Sequence, residues 1–211
     1  KSFDAYLLQL FQQKRKTPKD DLISALIETQ ATSDHLNEEE LLHNIRLLFI
    51  AGHETTVNLI CNALVALHKN PSQMSLLKQN PSLMSSAVEE FVRFDSSVQR
   101  LPRIAQKNVT IGNEKILKGQ TVICMLGSAN RDPSRFPDPE TLNIERTQTK
   151  STSFGGGIHF CIGAQLARLE TEIAIGQLLT RLPSLRIDNL EFLNYPPNPF
   201  FRGPERLDAT W

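Results

Sequence analysis

The sequence predicts a mainly α protein with small β-sheets, and three stretches carry that expectation. One helix-forming run covers residues 38–68, about 46 Å if continuous. Three consecutive glycines, Gly155, Gly156 and Gly157, lead into a second helix-period segment over residues 164–173. Between the two, residues 108–126 alternate apolar and polar positions around Gly112-Asn113 and Lys118-Gly119-Gln120. They read as strand, turn, strand, turn, strand.

Taken in order, Phe3, Leu7, Leu10 and Phe11 form a helical stripe that ends in the basic Lys14-Arg15-Lys16, a solvated helix end by composition. Pro18 breaks the chain, and Asp20 is expected to cap a short helix bearing Leu22, Leu26 and Ile27. A polar loop over residues 29–36 follows. Asn37, with Glu40 three residues on, has the spacing of a capping box at the start of the long helix.

Within that helix, residues 47–51 and 57–67 are apolar nearly all round, interrupted by Asn58 and Asn62, the pattern of a helix buried through a domain centre. Gly52, His53, Glu54, Thr55 and Thr56 break the apolar setting, where glycine, a carboxylate and hydroxyls are each unfavourable. Threonine there can bond back to the preceding turn and bend the helix. Asn70-Pro71 ends the run, and Asn80-Pro81 separates two further helices. The second of these carries Glu90 and Arg93, an i, i+3 pair that in most proteins is a surface salt bridge.

From Val98 the character of the chain changes, and Cys124 alternates into the last of the strands over residues 108–126 as a core thiol. Residues 129–150 form a connection rich in Pro, Asp and Arg, too long to be idle in a compact domain. Beyond the glycines, Ile162, Leu166, Leu169 and Ile173 give the following helix an apolar stripe. Residues 185–188 read as a strand and residues 196–201 as a turn.

With 211 residues the chain has core enough for one domain or a piece of a larger one. Lys+Arg and Asp+Glu are both 23, so charge offers no case for nucleic acid or an acidic membrane surface. Three isolated cysteines suit a reducing compartment better than a disulfide framework. No uninterrupted apolar run of about 18 residues occurs, so no transmembrane span is expected. No signal peptide is visible, although Lys1 is not a natural start. There are no internal repeats or low-complexity tracts.

The chemistry centres on Cys161, at the mouth of a helix N-terminus where the dipole and free N–H groups favour a thiolate. A lone cysteine is most often a small buried hydrophobe. The glycines do not have phosphate-loop spacing, since no Gly-Lys-Ser/Thr follows. Zinc needs a second ligand pair, and no Cys-x-x-Cys exists. A single axial thiolate is a haem ligand.

Phe154, Gly157, His159, Cys161 and Gly163 form the pattern Phe-x-x-Gly-x-His-x-Cys-x-Gly, which resembles the haem-binding loop of the cytochrome P450 monooxygenases. Two further motifs stand in matching order. Ala51-Gly52-His53-Glu54-Thr55-Thr56 resembles the family's oxygen-activating motif, where the helix opens to leave a groove over the iron. Glu90 and Arg93, with Arg146 after Phe136-Pro137-Asp138-Pro139, resemble its buried structural network. Residues 129–150 are like the family's meander beneath the haem, and residues 202–211 like its closing strand.

The resemblance covers essentially all of residues 1–211. It implies the haem-binding, C-terminal half of a single cytochrome P450 domain, with the N-terminal half absent from this chain. It further implies haem b held by Cys161 as iron ligand, with Phe154, Gly155, Gly157, Gly163, Ala51 and Gly52 around it. Arg103 and His159 would pair with the propionates, and bidentate pairing suits Arg103. Many bacterial members have a histidine three residues before the loop phenylalanine, where this chain has Ser151, so one propionate contact is expected to be weaker or absent here. Glu54 would relay protons and Thr55 hydrogen-bond bound dioxygen. Ala51, Val98 and Phe200 are the expected substrate contacts.

The function implied is insertion of one oxygen atom from O2 into a small organic substrate in the cytoplasm. Electrons would come from a ferredoxin, a flavodoxin or a reductase. The alternative is a truncated, non-catalytic haem binder or sensor. The Glu54-Thr55 pair favours the enzyme, because a pure binder needs no proton relay.

Overall fold

The computed structural model describes residues 2–32, 36–147 and 150–211, and these form helices with three two-stranded antiparallel sheets. Lys1, residues 33–35 of the expected polar loop and residues 148–149 of the long connection lie outside the described residues. The chain divides into two compact units, Lys1–Glu54 and Thr55–Trp211.

In the first unit, α1 (Ser2–Lys16) buries Leu7 and Phe11 against α2 (Leu22–Thr32) and the N-terminal part of α3 (Glu38–Lys69), through Ile27, Leu41 and Ile45. The basic end of α1 is not simply solvated. Lys14 pairs with Asp21, and Arg15 reaches Glu38 Oε1 and Gln30 Oε1, each at 3.0 Å. Asp21, rather than Asp20, caps α2, its Oδ1 accepting from the Ser24 amide at 2.9 Å. The Lys14 ammonium and the Ser24 amide hold the Asp21 carboxyl at about 2, below its usual range. The helix runs past the expected loop start to Thr32, and the Thr29 hydroxyl donates back to Ala25 O at 2.9 Å. At the start of α3 the capping box is complete. Glu40 N donates to Asn37 Oδ1 at 2.9 Å and Asn37 N to Glu40 Oε2 at 2.8 Å.

α3 is α-helical throughout its 32 residues, with no break at Gly52. It is long and apolar enough by composition to cross a membrane, but Leu59 and residues 63–67 are enclosed by protein. Burial through its whole length does not hold. Leu47, Phe49, Ile50 and Val57 are exposed, because apolar composition marks what can be buried and not which neighbour reaches it.

The second unit continues with α4 (Pro71–Gln79) and α5 (Met84–Phe94), each preceded by the Asn-Pro boundary the sequence shows. Strand β1 (Arg100–Ile104) pairs with β4 (Thr121–Met125), and β2 (Val109–Ile111) with β3 (Glu114–Ile116) as a hairpin. β1 was hidden from the sequence by Pro102, which demotes a strand pattern. A two-stranded ribbon tolerates it, with Pro102 opposite Ile123. Cys124, opposite Leu101, is exposed and not a core thiol, because two-stranded sheets leave faces uncovered. A short α6 (Leu126–Ala129), α7 (Ala164–Arg181) and the paired β5 (Arg186–Ile187) and β6 (Ala209–Thr210) complete the unit.

The core of this unit gathers α3 residues 59–67, Leu77, Val88, Phe91, Leu142, Ile144, Ile175 and Leu179. α7 joins it by a face other than the stripe read from the sequence. Thr171, Ile175 and Leu179 are buried, whereas Ile162, Leu166, Leu169 and Ile173 are exposed. α5 selects that face by packing there, close enough that a Cβ on Gly176 would lie 3.7 Å from the Met84 methyl. In this chain Ile175→Ala should therefore cost about 2–5 kcal/mol in chemical denaturation. Leu166→Ala should stay within about 0.5 kcal/mol. Equal losses would return the packing to the Leu166 stripe.

Candidate functional site

The site rests on one buried carboxylate. Glu90 and Arg93 lie one turn apart on α5 with both side chains fully enclosed. Arg93 Nε donates to Glu90 Oε2 at 2.7 Å and Nη2 to Oε1 at 2.8 Å, a fork-on-fork pairing. Arg146 Nε approaches the same carboxylate at 3.1 and 3.2 Å, and the Asn143 amide donates to Oε1 at 3.0 Å. Both guanidinium groups then bind backbone. Arg93 Nη1 reaches Asn130 O and Pro139 O, each at 2.9 Å, and Arg146 Nη1 reaches Pro137 O at 2.6 Å. The Arg93 carbon sits 5.4 Å from the centre of the buried Phe136 ring. The pair is thus interior, and it pins the long connection onto α5.

That connection in turn holds the cysteine loop. Asn130 Nδ2 donates to Ser153 Oγ at 2.7 Å, and its Oδ1 accepts from Thr152 N at 2.8 Å and Thr152 Oγ1 at 3.0 Å. Ser153 Oγ donates to Val92 O on α5 at 2.7 Å. The loop then turns, with Gly155 N donating to Thr152 O at 2.8 Å and Cys161 N to Phe154 O at 2.9 Å. Gly155 and Gly157 take φ of 72° and 61°, which side chains rarely adopt. Gly163 precedes α7 with φ −87°, so its need for glycine is not conformational. The half-buried Phe154 ring lies 4.5 Å below the Arg168 guanidinium, which α7 supplies and Glu89 pairs. Asn130, Thr152, Ser153 and Arg168 went unread in the sequence. Thr152, Ser153 and Arg168 had only the signal of polar residues near a glycine loop, and Asn130 had none.

Cys161 is exposed, as are its loop neighbours Ile158 at 97%, Ile162 at 90% and Phe160 at 51%. His159 lies on the one-turn helix Gly157–His159 of the same loop. Arg103, on β1, is half-buried, bonds its neighbour Pro102 O at 2.8 Å and meets no carboxylate among the described residues. Val98 and Phe200 come onto adjoining segments. Val98 bridges Phe201, Gln99 N donates to Phe200 O and Arg202 N to Ser97 O, both at 2.8 Å. Asn62 Nδ2 braces both segments through Asp95 O at 3.1 Å and Arg202 O at 3.0 Å. Burial pushes the Asp95 carboxyl up despite its Arg202 partner, and likewise raises the Tyr195 hydroxyl and the Cys61 thiol. Ala51, Gly52 and Glu54 belong to the first unit, whereas Thr55 belongs to the second with the cysteine loop.

The chain matches the family model for cytochrome P450 over residues 1–185. It is 43% identical over 207 residues to the biotin biosynthesis cytochrome P450 of Bacillus subtilis, covering 98% of this chain and 52% of that one. It is 46% identical over 208 residues to the vitamin D(3) 25-hydroxylase of Pseudonocardia autotrophica, covering 97% and 52%. Among solved structures, the testosterone complex of CYP109E1 from Bacillus megaterium superposes with a TM-score of 0.94 at 36% identity, covering 99% of this chain and 54% of that one. The chain spans about half the length of the relatives it matches.

Removing Glu90 strands two buried guanidinium groups, and Glu90→Ala should cost on the order of 3–5 kcal/mol and sharply reduce folded yield. Arg93→Lys should rescue little, since an ammonium lacks the planar fork. Wild-type denaturation midpoints in both variants would show the cluster to be dispensable.

Proposed function

Since the chain belongs to the cytochrome P450 family, we propose that it forms the haem-holding part of a haem-thiolate monooxygenase acting on a small organic substrate. The observation that carries this reading is Cys161, exposed on a glycine loop amid the exposed apolar Ile158, Phe160 and Ile162. Apolar surface around one soft ligand suits a flat iron macrocycle, and Arg103, facing no carboxylate of the described chain, suits its acid groups.

In this reading Cys161 holds the iron of haem b, while Phe154, Gly155, Gly157 and Gly163 shape the loop. Ala51 and Gly52 lie along the cofactor, and Arg103 and His159 take its propionates. When bound, the haem supplies reduction of O2 and transfer of one oxygen atom to the substrate. Making one alcohol and one water from O2 and a C–H bond consumes two electrons and two protons. The Glu54 carboxyl and the Thr55 hydroxyl, neighbours on α3, are the groups that hold and pass those protons. Val98 and Phe200, on adjoining segments, bound the substrate space together with Ala51.

Reducing equivalents come from an electron-donor protein of ferredoxin or flavodoxin type, or from a reductase, in the cytoplasm. The activity belongs to a protein of the relatives' full length, in which residues 1–211 make the C-terminal part of one domain. The relatives' names include a vitamin D hydroxylase and a biotin-pathway enzyme, so the substrate of this chain is proposed only as a small organic molecule.

In the full-length protein, Cys161→Ser should abolish the thiolate-type Soret band of the reduced carbon monoxide complex. Its persistence would overturn the ligand assignment. Thr55→Ala should leave haem binding and folding intact, alanine being the better helix former. It should lower the ratio of hydroxylated product to hydrogen peroxide per electron pair. An unchanged ratio would leave Thr55 as a helical residue without a part in proton delivery.

A further inference from the structure

The cysteine loop leaves from Thr152 and Ser153, and both residues are held by one side chain from elsewhere in the chain. Asn130 is completely buried, and each of its polar groups is engaged. Its amide donates to Leu126 O at 3.0 Å and its carbonyl accepts from Arg93 Nη1 at 2.9 Å. Its side-chain oxygen takes the Thr152 amide and hydroxyl, and its side-chain nitrogen donates to Ser153 Oγ. Ser153 is likewise used on both sides, accepting from Asn130 and donating to Val92 O. We infer that Asn130 is a positioning residue for the Cys161 sulfur, transmitting the fixed position of α5 and the charge cluster to the loop that presents the thiol.

The transmission is a continuous series of hydrogen bonds. Arg93 fixes Asn130, and Asn130 fixes the backbone and hydroxyl of Thr152 and the hydroxyl of Ser153. Thr152 O accepts the Gly155 amide, which sets the left-handed turn, and Phe154 O accepts the amide of Cys161 itself. A carboxamide is required at position 130 because the site needs a donor and an acceptor on one short planar group. An aspartate supplies no donor and a leucine neither. Each buried group left without its partner keeps its desolvation cost, so the loop loosens locally when Asn130 or the Ser153 hydroxyl is removed.

This inference rests on the haem-thiolate reading, and it is tested in the full-length protein with Asn130→Ala, Ser153→Ala and Ser153→Thr. Two readouts are taken: the lifetime of the thiolate-type band of the reduced carbon monoxide complex, and amide hydrogen exchange in haem-free protein. Asn130→Ala and Ser153→Ala should shorten the lifetime about tenfold and speed exchange over residues 152–161 about tenfold, the ratio equivalent to about 1.4 kcal/mol. Exchange in α4 should not change. Ser153→Thr keeps the hydroxyl and should behave as wild type in both readouts. If Asn130→Ala does not fold, the contrast between Ser153→Ala and Ser153→Thr decides by the same measurements. Wild-type lifetime and exchange in the alanine variants would overturn the inference, as would exchange raised equally in α4, which reports only general destabilisation. A wild-type protein without the thiolate-type band would instead sink the haem-thiolate reading, and the exchange data from haem-free protein would still decide whether Asn130 orders the loop.

Discussion

The second unit depends on the enclosure of a single carboxylate. Glu90 has no solvent, and Arg93, Arg146 and the Asn143 amide converge on its carboxylate in place of water. Arg93 and Arg146 carry more donors than one carboxylate can accept, and the surplus goes to the carbonyls of Asn130, Pro137, Pro139 and Thr141. Backbone carbonyls are available whatever side chain they belong to. A long irregular connection is thereby held without regular secondary structure of its own.

Buried ion pairs are weak devices for stability and better ones for geometry. The arrangement here fits that role. An apolar replacement of the cluster could fill the volume, but it could not direct the five carbonyls of Asn130, Pro137, Asp138, Pro139 and Thr141 to set positions. Apolar anchors add to the charges without replacing them, because Phe136, Leu142 and Ile144 of the same connection are buried among α5 and its neighbours. The irregular segment is thus anchored by both charges and apolar side chains, and the glycine loop follows it. A thiol that projects from an exposed loop gains its precision from the polar groups beneath it.

α3 combines two environments in one continuous helix. Its C-terminal half sits in the core of the second unit, with His68 bonded to Leu64 O and Leu185 O and Asn62 bracing two distant segments. Residues 47–57 are apolar but largely exposed, and the polar Gly52-to-Thr56 group falls within that stretch. Exposed apolar helix surface of this kind is also present on α7 at Leu166, Leu169 and Ile173.

The sequence by itself determined the elements and the residue types of the candidate site. Helix-period runs, Asn-Pro boundaries and the capping box around Asn37 are set by local backbone chemistry, and local chemistry is legible along a chain. So were the glycine loop before Cys161 and the i, i+3 spacing of Glu90 and Arg93. Only the tertiary structure decided which faces are covered. The same hydrophobic pattern on α7 could have turned Leu166 or Ile175 inward, and the choice was made by α5 packing from outside the helix. Cys124 stands on an open sheet face for the same reason, and β1 exists because β4 pairs with it. By spacing alone Glu90 and Arg93 read as a surface pair, and only the family resemblance set them with Arg146 in a buried network; the contact itself exists because folding brings Arg146, some fifty residues distant, onto Glu90. Asn130 could not be read at all, because its meaning lies entirely in the partners that folding brings to it.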